Sequence, residues 1–348
     1  SNLEPYTKRA AEIRAEIPKE GFIRALTEPA NPVPATFVFE RGDHEQPKAQ
    51  IQPNELAILG LIDLPTNDTQ LSTTGRRLAY ARHLTNGHHP LVARVIVNQI
   101  WIGHFGRGLV NSPGNFGFLG ERPTHPELLD WLTESFIDSG WNVKHLMKLL
   151  IMSETYRQSS MASAELAELD PLNSLYARQS RFRLDAEMVR DNALAISGLL
   201  VRKVGGPSVR GYQPEGLWDE VAFGIKTYSA QVYEQDHGDN LYRRGMYTFW
   251  KRSCPPPSLA TFDAPEREVC TVRRERTNTP LQALVLLNNP VYVEASRAFA
   301  ERIMKHGGET DEKRVAYAFR RATGRHSTAS EQAVLLEEFH NGLTLFAR

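Results

Sequence analysis

The sequence is poor in cysteine, with Cys254 and Cys270 as its two thiols in 348 residues. They lie sixteen positions apart, a spacing that excludes a CxxC redox pair, a CxxCH haem attachment site and a four-cysteine zinc site. One disulfide and two free thiols both remain open, because the sequence does not fix the distance between the two β-carbons.

The chain also lacks an excess of charge and a long apolar run. Its 41 basic and 41 acidic residues balance, so we expect neither a nucleic-acid partner nor a basic membrane-binding face. No apolar run approaches the roughly 20 residues that cross a bilayer, so we expect no membrane span. The N-terminus has no signal-peptide pattern. Because Ser1-Asn2 resembles a cloning remnant, this absence does not identify the cellular compartment.

Helical periodicity runs through most of the chain, which is 41% hydrophobic. It predicts a mainly α, compact helical domain with a few short strands and long ordered loops. Residues 1–35 are expected to form a helical lead-in and residues 36–348 the main domain, with an irregular insertion at about 205–245. TFVFER at 36–41 predicts a strand, RGDHEQPK after it a turn, and MYTFW at 246–250 another strand.

The densest motif runs from Asn98 to Arg157, where glycines alternate with aromatic residues. Its glycine loop either contacts a ligand or is a structural connection held by phenylalanines, and it lacks the lysine of a phosphate-binding loop. Its tryptophans either stack on a sugar or fill the core. In the sugar-binding interpretation, four nearby side chains bind the substrate: Asn98, Trp101, Arg107 and Tyr156.

Histidines and acids supply candidates for proton transfer. Asp43 and His44 follow the first predicted strand, and His104 and His125 adjoin predicted helix ends. These four could line one cleft, since histidine exchanges protons near neutral pH, or they could be structural caps. No histidine pair has HExxH spacing, so the sequence predicts no metal site.

A second charged motif, TFDAPEREVCTVRRERTNTP, occupies residues 261–280. Asp263 and Glu266 could act as acid and base, while Arg273 and Arg274 could bind an anionic group of a substrate. The alternative is a salt-bridge network that orders the loop, because clustered opposite charges often pair with each other.

Four long strings carry a family resemblance: HPLVARVIVNQIWIGHFGRGLVNSPGNFGFLGERPTHPELLDWL, SGWNVKHLMKLLIMSETYRQSS, SCPPPSLATFDAPEREVC and RRERTNTPLQALVLLNNP. Together they resemble the planctomycete-specific domain of unknown function 1553, over roughly residues 36–300. Proteins with this domain often carry a c-type cytochrome module. The resemblance therefore implies a periplasmic or extracellular protein that works beside haem c on another domain or partner, with no cofactor in this chain.

Two function classes follow from these observations. The first is an exported enzyme or enzyme subunit that binds or processes a carbohydrate-like ligand and is linked to a cytochrome c-type domain. The second is a noncatalytic scaffold or interaction module for neighbouring domains. The two function classes predict different geometry. In the enzyme the named acids and histidines meet in an open pocket, and in the scaffold they form salt bridges within the protein.

Overall fold

A computed structural model describes residues 3–16, 25–28, 35–60, 62, 64, 73–221 and 232–347. Over these residues it confirms the predicted mainly α fold with few short strands. The helices are α1 (Glu4–Glu16), α2 (Arg76–Leu84), α3 (Val92–Phe105), α4 (Pro126–Asp138), α5 (Val143–Met152), α6 (Glu154–Arg157), α7 (Ala164–Leu169), α8 (Ala186–Ser197), α9 (Leu217–Glu220), α10 (Pro257–Thr261), α11 (Pro280–Asn288), α12 (Pro290–His306), α13 (Asp311–Thr323) and α14 (Ala329–Phe346).

The chain divides into two compact units. The first contains Ser1–Trp101 and His125–Ile151, and the second contains Ile102–Thr124 and Met152–Arg348. The expected lead-in at 1–35 and insertion at 205–245 lie partly outside the described residues. Among the helices that are described, none has the length and apolar character needed to cross a bilayer.

A two-stranded antiparallel sheet is the β-structure of the first unit's described part. β1 (Thr36–Glu40) was predicted, but β2 (Asp43–Ile51) replaces most of the predicted RGDHEQPK turn. The turn is shorter, because Arg41 and Gly42 both adopt positive φ, the geometry that closes a two-residue hairpin. β2 escaped prediction because almost all its side chains are exposed, so no apolar alternation marks it.

Helices α3, α4 and α5 supply the apolar core of the first unit. Each places residues at helical spacing on one buried face. These buried side chains are Ala93, Val97, Trp101, Leu129, Leu132, Phe136, Leu146 and Leu150. An ion pair between Arg94 of α3 and Asp130 of α4, with Nε and Oδ1 2.8 Å apart, joins the two helices at the surface.

In the second unit, α8 packs against α10 and α12, and α11 packs against α10 and α12. One buried cluster joins Ala186, Leu259 and Phe262, and another joins Leu194 to α12. Helix α13 packs against α12 on one side of the sequence and against α14 on the other. A capping box between Thr328 and Glu331 starts α14, because each residue satisfies a backbone N–H of the other.

The predicted strand at MYTFW is wrong in its regular form. Residues 245–247 form a short 3₁₀ helix, and the segment contributes only an isolated bridge at Thr248. Its aromatic rings pack separately, with Tyr247 against Arg243 and Phe249 against Arg210 and Trp218. Aromatic residues favour strands in general. Here each ring packs against a different partner, and the backbone does not form a regular strand.

Candidate functional site

A polar cavity opens in the second unit between the segment before α7 and the segment before α8. Its volume is about 440 Å³. The lining side chains are mostly small or hydrogen-bonding, with a few apolar faces: Ser160, Met161, Ala162, Pro171, Leu172, Asn173, Arg178, Gln179, Ser180 and Arg181.

The cavity wall is set by the turn that follows α7. Asp170 ends this helix, and its carboxylate accepts the N–H groups of Ser174 and Leu175, each at 2.8 Å. Partial shielding from water raises the pKa of the Asp170 carboxyl, but these two bonds and nearby arginines lower it more, so its pKa lies below the usual value. Asn173 adopts a positive φ of 52°, which asparagine tolerates well, and its side chain donates to the Arg178 carbonyl at 2.7 Å.

An aromatic cluster holds this wall from behind. Tyr176 is buried, meets the ring of Phe105 edge-on at 5.7 Å and donates to the Arg107 carbonyl at 3.3 Å. Tyr156 packs edge-on against His104 and Phe105, at 6.0 and 5.8 Å between ring centroids. Three predicted site residues, His104, Arg107 and Tyr156, therefore lie in the packing that supports the cavity wall, although none of them lines the cavity.

Several hydrogen-bond donors at the cavity keep unused capacity. Arg181 donates Nε to the Ser160 hydroxyl at 3.2 Å, and Nη2 contacts the sulfur of Met161 at 3.4 Å, so Nη1 has no acceptor among the described residues. Gln179 uses its carbonyl to accept the Ser180 N–H at 3.1 Å, which leaves its amide NH₂ available. The hydroxyls of Ser160 and Ser180 accept protein donors and can still donate their own protons.

The two charged motifs meet elsewhere in the second unit. Arg274 binds Glu187 at the start of α8 through Nη1 and Oε2, 2.6 Å apart, and Arg276 lies 3.5 Å from Asp185. Asp263 accepts from Arg183 and from the N–H and hydroxyl of Thr277, the last two at 2.8 Å. We call these pairs the charged network. Its carboxylates are already engaged by protein donors.

Burial and charge act in opposite directions on two carboxyls of α8. Partial burial raises the pKa of Glu187, but the hydrogen bond from Arg274 and the charges of Arg274 and Arg267 outweigh it, so the pKa falls below its usual value. Burial also raises the pKa of Asp191, and there the Gly245 N–H and nearby arginines do not fully offset it.

A histidine cluster in the first unit brings metal-ligating atom types together. One oxygen or nitrogen each from Glu55, His83 and His89 lie within 4.8 Å of one another. Tyr80 donates its hydroxyl to Glu55 at 2.8 Å, and Nε2 of His89 is 3.8 Å from the same carboxylate. Sequence spacing did not reveal this cluster, because the two histidines are six positions apart rather than at HExxH spacing and Glu55 comes from a distant segment.

The tautomer of His89 decides what this cluster does. Nδ1 of His89 accepts two backbone N–H groups that precede and open α3, at 3.2 and 3.3 Å. A neutral ring that accepts at Nδ1 carries its proton at Nε2, and that nitrogen then has no lone pair for a metal. The arrangement therefore suits a helix cap whose N–H faces Glu55 better than a metal centre.

The remaining predicted site residues are divided between the two units. Asp43 and His44 lie on β2, where the Asp43 carboxylate accepts the Gln46 amide at 2.8 Å, and His125 is the N-cap residue of α4. Asn98 and Trp101 are buried on α3. In the second unit, Glu266 and Arg273 are exposed.

The tryptophans do not form one uniform core set. Trp101 is 3% exposed and Trp131 is 54% exposed. Trp141 is half-buried and packs edge-on against Phe136 at 5.4 Å between ring centroids. The core interpretation therefore holds for Trp101 and fails for the exposed ring of Trp131. The thiols of Cys254 and Cys270 are free, which settles the disulfide alternative.

Comparison with known proteins identifies a family but not an activity. A family model described as "PSD1: Protein of unknown function (DUF1553)" matches residues 76–339, which is more than half of the chain. No curated protein and no solved structure matches significantly. The matched range includes the cavity, the charged network and helices α2 to α13. The chain belongs to the PSD1 (DUF1553) family of proteins of unknown function.

Proposed function

We propose that the chain is a binding module that takes a carbohydrate-like ligand into the cavity formed by residues 160–181. The observation that carries this proposal is a cavity of about 440 Å³ whose lining keeps unused hydrogen-bond donors. Small-molecule sites commonly have volumes of roughly 300–1,000 Å³ and combine apolar walls with a few well-placed polar groups. A sugar presents hydroxyls to such polar groups and C–H faces to such walls.

The chemistry of the lining supports binding rather than catalysis. Serine hydroxyls, an amide and guanidinium groups can bind sugar hydroxyls, and Met161 and Leu172 provide exposed apolar surface. No aspartate, glutamate or histidine lines this cavity in the described residues. Glycoside hydrolysis commonly needs a pair of carboxyl groups at the scissile bond, and the predicted pair Asp263 and Glu266 does not line the cavity.

A second candidate, the noncatalytic scaffold, is favoured by the charged network. Its arginines and carboxylates bind one another, as expected when charges order a loop for a structural purpose. The proton-transfer roles of Asp43, His44, His104, His125, Asp263 and Glu266 stay predictions. The two candidates differ in whether the cavity has a ligand of its own.

The test is a binding screen of the full chain against neutral and acidic oligosaccharides by isothermal titration calorimetry. In Ala162→Trp a large ring would fill the cavity, so we expect saccharide binding to be lost. Ala167→Trp is the matched control, because Ala167 is exposed on α7 and does not line the cavity. Binding that survives Ala162→Trp, or no binding by any saccharide, contradicts the proposed site and leaves the scaffold candidate.

Export to the periplasm or the extracellular space, and association with a c-type cytochrome, are further proposals. The long strings in residues 89–160 and 253–290 resemble the family, and proteins of that family often carry a c-type cytochrome module. Both proposals rest on this resemblance. Fractionation of cells that express the parent gene, followed by haem staining of proteins that co-purify with the chain, tests both. A cytoplasmic chain without a haem-bearing partner contradicts them.

A further inference from the structure

The charge of the cavity lining has one sign. Its two charged lining residues, Arg178 and Arg181, are both cationic, and no acidic residue lines it in the described part of the chain. The uncommitted groups are also donors: the Gln179 amide, the two serine hydroxyls and guanidinium nitrogens. A neutral sugar oxygen can accept from these donors, but an oxyanion offers several acceptor sites in one group and adds the attraction of opposite charge.

The two arginines differ in how their charge is balanced. Arg178 donates Nη2 to the Asp170 and Pro171 carbonyls, at 2.8 and 3.1 Å. Its positive charge also lowers the pKa of the Asp170 carboxyl. Its Nη1 is shielded from solvent and has no hydrogen-bond partner among the described residues. Arg181 forms no ion pair in the described chain, so its charge is free for a ligand.

Arg181 is also held in position before a ligand arrives. Its Nε bond to the Ser160 hydroxyl and its contact with Met161 orient the guanidinium across one wall. A planar guanidinium with free N–H groups binds the oxygens of carboxylate, sulfate or phosphate groups, and prior orientation reduces the entropy lost on binding. The neighbouring Gln179 amide and serine hydroxyls donate in the same way to oxyanions.

We propose that the ligand of this cavity is an anionic saccharide, one that carries a carboxylate or a sulfate ester, and that Arg181 binds the anionic group. This inference rests on the proposed function of the cavity, and it adds the charge of the ligand and the residue that selects it. Sulfated sugars and uronic acids share the required chemistry, which is an oxyanion attached to a hydroxylated ring.

The experiment compares three oligosaccharides of equal length, one neutral, one uronate and one sulfated, by calorimetry with the full chain and with free inorganic sulfate as a further probe. We expect an acidic saccharide to bind at least tenfold more tightly than the neutral one. Arg181→Gln should weaken that binding by about 10-fold to 100-fold, because it removes hydrogen bonds to a charged group. Added salt should weaken it as well.

Control variants separate the possible outcomes. Arg202→Gln removes one exposed positive charge outside the cavity and should change nothing, and Arg181→Lys should restore only part of the binding. Equal affinity for neutral and acidic sugars, unchanged by Arg181→Gln, overturns the anionic inference while the cavity's proposed function stands. Free sulfate that binds as tightly as the sulfated sugar overturns the saccharide part. If no saccharide binds, both proposals fail.

Discussion

The charged network and the cavity are both polar regions of the second unit, yet they use their polar groups in opposite ways. In the network, Asp263 and Glu187 accept from arginines and from Thr277, so the charges satisfy one another. In the cavity, Arg181 and Gln179 keep donors that no protein group accepts in the described residues. In this chain the densest group of charges therefore has a structural role, and the unused hydrogen-bond donors identify the candidate binding site.

The largest expected effect comes from Arg190, a buried arginine beside the network. It donates to the Arg243 and Leu241 carbonyls at 2.7 and 2.6 Å and lies 3.6 Å from Asp191. Arg190→Ala leaves these acceptors unpaired and Asp191 without its buried counter-charge, so we expect a loss of about 3–5 kcal/mol in the free energy of unfolding. Urea titration followed by tryptophan fluorescence measures it.

The control for this prediction is Arg202→Ala, in which an exposed arginine with no ion pair in the described chain is removed. It should change stability by less than about 0.5 kcal/mol. If both variants unfold at the same urea concentration, the buried hydrogen bonds of Arg190 contribute nothing, and closed polar contacts beside the charged network stabilise this unit no more than an exposed charge does.

A smaller effect is expected at Asp263. Asp263→Ala removes the acceptor shared by Arg183 and Thr277 and places alanine at a φ of 62°, so we expect a loss of about 2–3 kcal/mol. Asp263→Asn should lose less, because asparagine tolerates this backbone and keeps one acceptor. Thermal unfolding checks the order. A stable Asp263→Ala protein with a lost activity would instead support the predicted proton-transfer role.

The smallest effect depends on pH and concerns Glu187. Because the folded state lowers its pKa below the usual 4.5, the stabilisation by Glu187 is fully present above pH 4.5 and is lost as the pH falls through the lower folded value. Glu187→Gln should therefore cost about 1 kcal/mol at neutral pH and almost nothing in strong acid.

Unfolding of both proteins by urea at a series of pH values tests this sign. Glu266→Gln is the matched control, because Glu266 is exposed and forms no ion pair in the described chain. A stability difference for Glu187→Gln that grows on acidification would mean that the ion pair with Arg274 does not govern the carboxyl. The charged network would then be weaker than its geometry suggests.

Much of the fold could be predicted because apolar periodicity is local. The buried face of α4 follows from spacing alone, and β1 was predicted within one residue. The buried face of α8 does not, because it includes Arg190 and Ser197 and leaves Met188 exposed. β2 was missed because a hairpin exposed on both faces leaves no hydrophobic pattern. Helices α5 and α6 are separate although only Ser153 lies between them, because the Ser153 side chain caps a new helix start.

The candidate site was much harder to predict. Its lining comes from a stretch where three arginines, Arg178, Arg181 and Arg183, occur within six residues without an acid, a weak signal. Which of them is paired depends on contacts across the fold. Arg183 binds Asp263, eighty positions away, while the side chain of Arg181 contacts Ser160 and Met161 and forms no ion pair within the described residues. The sequence showed the charges, and long-range pairing determined which remained free.

The two free thiols have a practical consequence. Cys254 is 4% exposed, and burial raises the pKa of its thiol, whereas Cys270 is exposed at the surface. A thiol-reactive dye should therefore label Cys270 in the native protein and reach Cys254 only when the surrounding structure opens. The rate at which Cys254 is labelled therefore reports how often the structure around it opens.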